Sequence, residues 1–231
     1  MPKRNWVDPK LFGWKPLNYV NGVPWPRLPM STWQSSAVPL KEDYLLRSMD
    51  YLDTDEARII FEAQADIIQK HRFQGIVDVG CRTGPINTVL QERGFTNYNY
   101  MGFDTSLEPI LFAQRTWGQF ENIEFRHTSW DHLQQLKVDF KVDCVVWSGV
   151  LLYRPHDHLD FFHKVTVEYY NASHAIIQEP LREQKYWHQS LSLNTIADDL
   201  YMYQNKYHSF SERLIDAEIF GGRRKIVELA I

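Results

Sequence analysis

The spacing of apolar residues changes character near residue 75. Before it, "DTDEARIIFEAQADIIQKHRF" repeats Ile59, Ile60, Ala63, Ile67 and Ile68 at helical intervals, with acids in the first turn and Asp53 or Thr54 as N-cap. That spacing predicts a helix. After it, Ile76 to Val79 is a short continuous apolar run of the kind a strand shows when both its faces are covered, and a turn with Gly80 and Gly84 leads into a helix over about 84–93. Strand-like and helix-like segments then alternate: "YNYMGFD" ending at Asp104, a helix over about 107–117, "IEFRHT", "VDCVVWS" ending near Ser148, a helix over about 156–170, "HAIIQE" and a helical stretch over about 182–203. Two terminal strands, "YHSFSERLIDAEIF" and "KIVELAI", are separated by Gly221 and Gly222. The alternation predicts an α/β fold: a doubly wound, mostly parallel seven-stranded sheet with a C-terminal antiparallel hairpin strand and helices on both faces.

Residues 1–45 follow neither period. Within them, residues 5–33 interleave Trp6, Trp14, Trp25 and Trp33 with five prolines, so the reading is an irregular arm, packed on the core because exposed indoles are costly. Residues 46–231 form the expected main domain, with 182–207 as a lid insertion. At 231 residues with 44% hydrophobic and 23% charged residues, the chain has ordinary globular composition. A formal charge of −4 supplies no broad positive field for duplex nucleic acid. Cys81 and Cys144 stand far apart, without the spacing of a zinc site or a disulfide framework, and no run approaches the ~18 apolar residues of a membrane span. The expectation is a soluble cytoplasmic protein. Oligomeric state is not legible.

In an open α/β sheet, ligands lie at the carboxyl ends of the strands beside the switch in strand order. Collected there are Asp78, Gly80 and Gly84; Asp104; Ser129, Trp130 and Asp131; and Ser148 and Gly149. An acid about 20 residues beyond a glycine turn suits the two hydroxyls of a ribose. The loop Gly80-Cys-Arg-Thr-Gly84 has Arg82 where a pyrophosphate-binding G-x-G-x-x-G turn needs its middle glycine, and no P-loop motif occurs. Asp78 would repel phosphate and suit an ammonium group. Ribose, an adenine-like ring and an ammonium without phosphate describe S-adenosyl-L-methionine.

"VDVGCRTG" resembles the first motif of class I (Rossmann-like) S-adenosylmethionine-dependent methyltransferases, and "GFDTS" resembles their second-strand motif. "DCVVWSGVLLYRPHDHLDFF" is similar to the fourth-strand segment of the branch acting on small molecules. The resemblance spans about residues 55–180. It implies that Asp78, Gly80, Cys81, Arg82 and Gly84 form the loop under the methionine moiety. It implies further that Asp104, with Thr105, holds the ribose, that Ser129 and Trp130 edge or stack on the adenine, and that Ser148, Gly149 and Val150 line the floor. Arg82 in place of glycine would bring a guanidinium near the cofactor's carboxylate. Ser129 stands where many relatives carry Asp.

Each feature also has a plainer reading. Asp104 would cap the following helix, which is compatible with ribose binding. Trp130 is either an adenine platform or a core aromatic, and Cys81 reads as a small loop residue rather than a nucleophile. "PHDHLDFFH" offers His156, His158 and His163, but their spacing does not put them on one helical face, so no metal is expected. Methyl transfer from a sulfonium is an in-line displacement in which positioning supplies much of the acceleration. Tyr153, His156 and Glu179 are the candidate bases for an oxygen or nitrogen acceptor of small or medium size. Two other readings stay open: a non-catalytic cofactor-binding partner subunit, and an aminopropyltransferase-like enzyme.

Overall fold

In the proline-rich opening of the chain, Asn18–Val20 (β1) and Val23–Trp25 (β2) pair as an antiparallel hairpin with Val20 opposite Val23. The sequence reading expected no regular structure there. The two residues between the strands are Asn21 and Gly22, a pair strongly favoured in hairpin turns, and that local preference outweighs the weak alternation of the flanks. The protein is described by a computed structural model covering residues 18–20, 23–25, 55–129, 132–133, 136–151, 154, 157–180, 207–219 and 222–231. The N-cap candidates Asp53 and Thr54, the lid at 182–206, and Trp130, Asp131, Tyr153 and His156 lie outside the described residues.

Helix α1 (Asp55–His71) precedes β3 (Gly75–Val79), α2 (Pro85–Glu92), β4 (Asn99–Asp104), α3 (Leu107–Trp117), β5 (Ile123–His127) and β6 (Cys144–Ser148). Helix α4 (His158–His163) runs on as a π-helical turn over Lys164–Tyr169, where an α-helix to about 170 was expected. The chain closes with β7 (His174–Pro180), β8 (Ser209–Ile219) and β9 (Gly222–Ala230). The sheet order is β5-β4-β3-β6-β7-β9-β8. The first five of these pair in parallel, β9 runs antiparallel to both β7 and β8, and a register shift interrupts the last pairing between Ile215 and Glu218. The predicted architecture is the one observed. Because the chain winds outward from β3 to β5 and then returns to place β6 on the other side of β3, the switch point falls between β3 and β6.

Alternation along the strands divides the core into two layers. Ile76, Tyr100, Cys144, Val146 and Ile176 face α1, α2 and α3, while Val77, Val79, Met101, Trp147 and Ile177 face α4. On α1 the buried stripe is Ile60, Ala63, Gln64, Ile67 and Ile68. Ile59 had been read as part of it but is 40% exposed, since one residue of rotation carries it to the flank; the polar Gln64 lies on the stripe instead. Fully buried Trp147 satisfies its indole N–H on Thr166 Oγ1 at 3.1 Å in the π-helical turn. Among the described residues no helix is long and apolar enough to cross a membrane.

At the end of the sheet remote from the switch point, Asp143 accepts the backbone N–H groups of Gln74 and Gly75 at 2.9 and 3.1 Å, fixing the entry to β3. The last turn of α1 is held nearby. His71 Nε2 meets Glu228 Oε1 at 2.5 Å and Lys70 Nζ reaches the same carboxylate at 3.1 Å. Burial pushes the Glu228 carboxyl up, but the bonds from His71 and Lys70 outweigh it and hold the group below its ordinary value. A depressed carboxyl stabilises the fold above the ordinary carboxylate range and loses that contribution as pH falls through its folded value. Glu228→Gln is therefore expected to lower stability at neutral pH by about 1 to 2 kcal/mol, the 63% exposed Lys70 adding little. Denaturant unfolding should show the two proteins converging as pH falls below about 4.

Candidate cofactor cleft at the switch point

The loop leaving β3 is stitched to the end of β4. Gly80 and Cys81 both donate their N–H groups to Phe103 O, at 2.8 and 3.0 Å, and the Arg82 N–H donates to Asp104 Oδ2 at 3.0 Å. The other oxygen of Asp104, Oδ1, accepts the Ser106 N–H at 2.8 Å, so one carboxylate holds both the glycine loop and the start of α3. Ser106 is the N-cap residue but makes no side-chain capping bond; in place of the cap expected of Asp104, Thr105 and Ser106, the Asp104 carboxylate accepts the Ser106 N–H. Thr105 is buried, and its carbonyl lies 3.0 Å from His127 Nε2 on β5. A strut from below completes the arrangement, with Trp117 Nε1 donating to Thr83 O at 3.1 Å.

Backbone conformation explains the glycine spacing. Gly80 has φ +82°, and a Cβ there would lie 2.4 Å from Val150 Cγ2 and 3.0 Å from Ser148 O. The loop after β3 therefore lies directly against the loop after β6, which brings Gly80, Ser148 and Val150 together across the switch point. Gly84 is the N-cap of α2 with φ +75°. Arg82 keeps φ +51° without being glycine, so the loop retains a left-handed turn at the position where the resembling motif has its middle glycine. Cys81 turns its side chain away from the loop surface. Its Sγ fills the space a side chain at Gly102 would occupy, and burial pushes the thiol well above its ordinary value, consistent with a packing residue rather than a nucleophile.

Beyond β6, Gly149 donates its N–H to Gln178 O at 2.9 Å, and among the described residues nothing lies within 4 Å of where a Cβ on it would stand. Ser148 Oγ accepts Gln64 Nε2 from α1 at 2.8 Å. Ser129, two residues past the end of β5, has its hydroxyl 2.8 Å from His132 Nδ1. The backbone of Glu179 lies in β7 opposite Lys225. His158 is buried at the first position of α4, next to its N-cap Asp157, while His163 lies 3.1 Å from the Tyr207 hydroxyl. Among the described residues no group of three His, Cys, Asp or Glu has the geometry to hold a metal.

Gln64, Tyr100 and Gln178 are among the buried polar groups that were not anticipated. Tyr100, fully buried, donates its hydroxyl hydrogen to Asp78 Oδ2 at 2.7 Å. Gln178 is 5% exposed and lies opposite Ser148 in the parallel register. A signal for each existed in the sequence as a polar atom inside an otherwise apolar stripe or run, at a position where periodicity demands burial.

The residues at this end of the sheet fit a nucleoside with an amino-acid tail. Asp104 has carboxylate lone pairs beyond the two used by the backbone, no described residue crowds Gly149, and buried Asp78 Oδ1 has no hydrogen-bond partner among the described residues. The family model described as "Methyltransferase domain" matches residues 71–208. No curated protein matches the chain. Among solved structures, the chain is similar to N-methyltransferase NodS from Bradyrhizobium japonicum WM9 in complex with S-adenosyl-L-homocysteine, at 10% identity and TM-score 0.61, over 87% of this chain and 95% of that one. It is also similar to the methyltransferase domain of bacterial CtHen1 (15%, TM-score 0.59, 77% of this chain and 99% of that one). A third similar structure is magnesium protoporphyrin IX methyltransferase ChlM from Synechocystis PCC 6803 with bound S-adenosyl-L-homocysteine (13%, 0.56, 76% and 83%). At these identities the likeness is one of fold.

Two substitutions test the loop. Gly80→Ala combines a left-handed conformation with overpacking against Val150 and is expected to lower stability by about 2 to 4 kcal/mol. For Arg82→Gly, relief of the left-handed strain offsets the added freedom of the unfolded chain, and the change should stay within about 1 kcal/mol. Thermal unfolding of both variants measures the difference.

Proposed function

Since the chain belongs to the methyltransferase-domain family, we propose that it transfers a methyl group from S-adenosyl-L-methionine to an oxygen or nitrogen of a small or medium-sized acceptor. The observation that carries this is the Asp104 carboxylate, buried at the tip of β4 and tied to both the glycine loop and α3. When bound there, the cofactor supplies an activated methyl group on a sulfonium.

The chain's own residues bind and orient. Asp104 receives the ribose hydroxyls, with Thr105 beside it; the loop from Gly80 to Gly84, with Arg82 over it, cradles the amino-acid tail next to Asp78. Ser129 and Trp130 edge the adenine. Ser148, Gly149 and Val150 form the floor, and Gln64 fixes the Ser148 hydroxyl from α1. Burying the reacting centre under the arm (1–45) and the lid (182–207) would exclude water and hold the acceptor in line, which suffices for much of the rate in a displacement that neutralises charge. Tyr153, His156 and Glu179 are the bases we assign to the acceptor side. The two free, buried cysteines fit a reducing cytoplasm.

An aminopropyl-transferring enzyme would want a further carboxylate beside the cofactor to hold a polyamine. The acid adjoining β6 is Asp143, but it lies at the far end of the strand, bound to the N–H groups of Gln74 and Gly75. The methyl-transfer reading is therefore preferred over that one.

Calorimetric titration with S-adenosyl-L-homocysteine tests the reading. Folded wild-type protein should bind it, and Asp104→Asn should weaken binding by about 10- to 100-fold, the loss expected for a charged hydrogen-bond acceptor. A folded wild type that does not bind S-adenosyl-L-homocysteine, or an Asp104→Asn variant with unchanged affinity, would refute it.

A further inference from the structure

Below the glycine loop lies a carboxyl group whose surroundings are unusual for an acid. Asp78 is 4% exposed, opposite Gly102 on one side and Val146 on the other, on the face of β3 covered by α1 and α2. Its Oδ2 accepts the Tyr100 hydroxyl at 2.7 Å. Its Oδ1 is shielded from solvent and has no hydrogen-bond partner among the described residues. A buried carboxylate oxygen left in that state is costly, and the cost disappears either when the group takes up a proton or when a cation comes to it.

The groups around Asp78 leave that choice open to a ligand. Tyr100 and Asp104 approach from β4, Cys81 and the cation Arg82 belong to the loop, and Cys144 lies on β6. From α1 and α2 the buried polar side chains are the neutral Gln64 and Asn87. Burial pushes the Asp78 carboxyl up to about 7, the Tyr100 hydrogen bond works in the opposite direction, and the negative charge of Asp104 raises it further. Tyr100 itself is pushed well above its ordinary value, first by burial, so it stays a donor throughout the range in which Asp78 titrates.

We propose that Tyr100 is a positioning residue that acts through Asp78, holding Oδ2 so that Oδ1 is left for the cofactor's ammonium group, and that cofactor binding expels the Asp78 proton to solvent. This rests on the cofactor assignment made above. The balance is simple: the neutral acid becomes a carboxylate, its proton passes to the buffer, and the new negative charge faces the bound ammonium. Tyr100 keeps its own proton.

The test is calorimetric binding of S-adenosyl-L-homocysteine across about pH 5.5 to 8.5, repeated in buffers of different ionisation enthalpy. Wild-type affinity is expected to fall on the acid side with a limiting slope of about tenfold per pH unit, and the buffer series should register release of up to about one proton. In Tyr100→Phe the carboxyl loses the bond that favours ionisation. Its midpoint should move to higher pH and its affinity at neutral pH should drop several-fold, with wild-type affinity recovered at the alkaline end. Asp78→Asn should flatten the profile, and it also subtracts any titration of the nucleoside itself. A flat wild-type profile, or a Tyr100→Phe loss that is equal at every pH, would overturn the proposal while leaving the cofactor assignment intact. Absence of binding at any pH would overturn that assignment and this inference with it.

Discussion

One carboxylate organises the mouth of this fold. Asp104 accepts the N–H of Arg82 with one oxygen and the N–H of Ser106 with the other, so the turn after β3 and the first residue before α3 share a single anchor. Around it, Gly80 and Cys81 converge on the carbonyl of Phe103; the two bonds to the Asp104 carboxylate are charge-assisted, and bonds of that type are about twice as strong as neutral ones. The left-handed conformation at Arg82 persists because these bonds over-determine it. The glycine loop and the start of α3 are positioned relative to that anchor.

Below the mouth, the layer between the sheet and α1 and α2 holds polar pairs among apolar side chains: Asp78 with Tyr100 across two strands, Asn87 of α2 with Tyr98 just before β4 at 2.9 Å, and Ser148 of β6 with Gln64 of α1. The opposite layer is built around Trp147, whose indole packs edge-on against Phe161 and bonds Thr166. The asymmetry has a physical reason. Polar atoms in a core must find partners from a neighbouring element, and α1 and the loop bring such partners to one face. The Gln64–Ser148 pair therefore fixes the register of α1 over the strand ends more narrowly than its isoleucine stripe alone would.

The sheet was legible because strands buried on both faces read as short apolar runs, and because glycine-containing turns punctuate them; the span of α3 and the ends of β4 and β6 followed from that alone. The pairing of Asp104 with the glycine turn was legible in kind, through the spacing of the two. Its dual use of both oxygens on backbone groups was not, since that depends on the loop being folded back onto Phe103. Ile59 was misassigned because adjacent isoleucines compete for one stripe, and only packing decides which is buried. Gln64, Tyr100 and Gln178 were passed over for the converse reason: a periodicity argument weighs apolar positions and treats a polar residue among them as noise. The hairpin at Asn18–Trp25 had its signal in Asn21-Gly22, obscured by surrounding prolines. The proposed bases Tyr153 and His156, and the adenine platform Trp130, fall outside the described residues.

The outermost strand, β8, is eleven residues long and loses register with β9 between Ile215 and Glu218. An unbroken strand of that length at a sheet boundary is a template on which another chain's backbone can add, the first step toward fibrous assembly. The irregularity divides the ladder into two short segments that twist differently, so an incoming strand in step with one is out of step with the other. The interruption leaves Ser209–Ile215 and Glu218–Ile219 as separate stretches of the ladder, a poorer template for an added strand than one unbroken run.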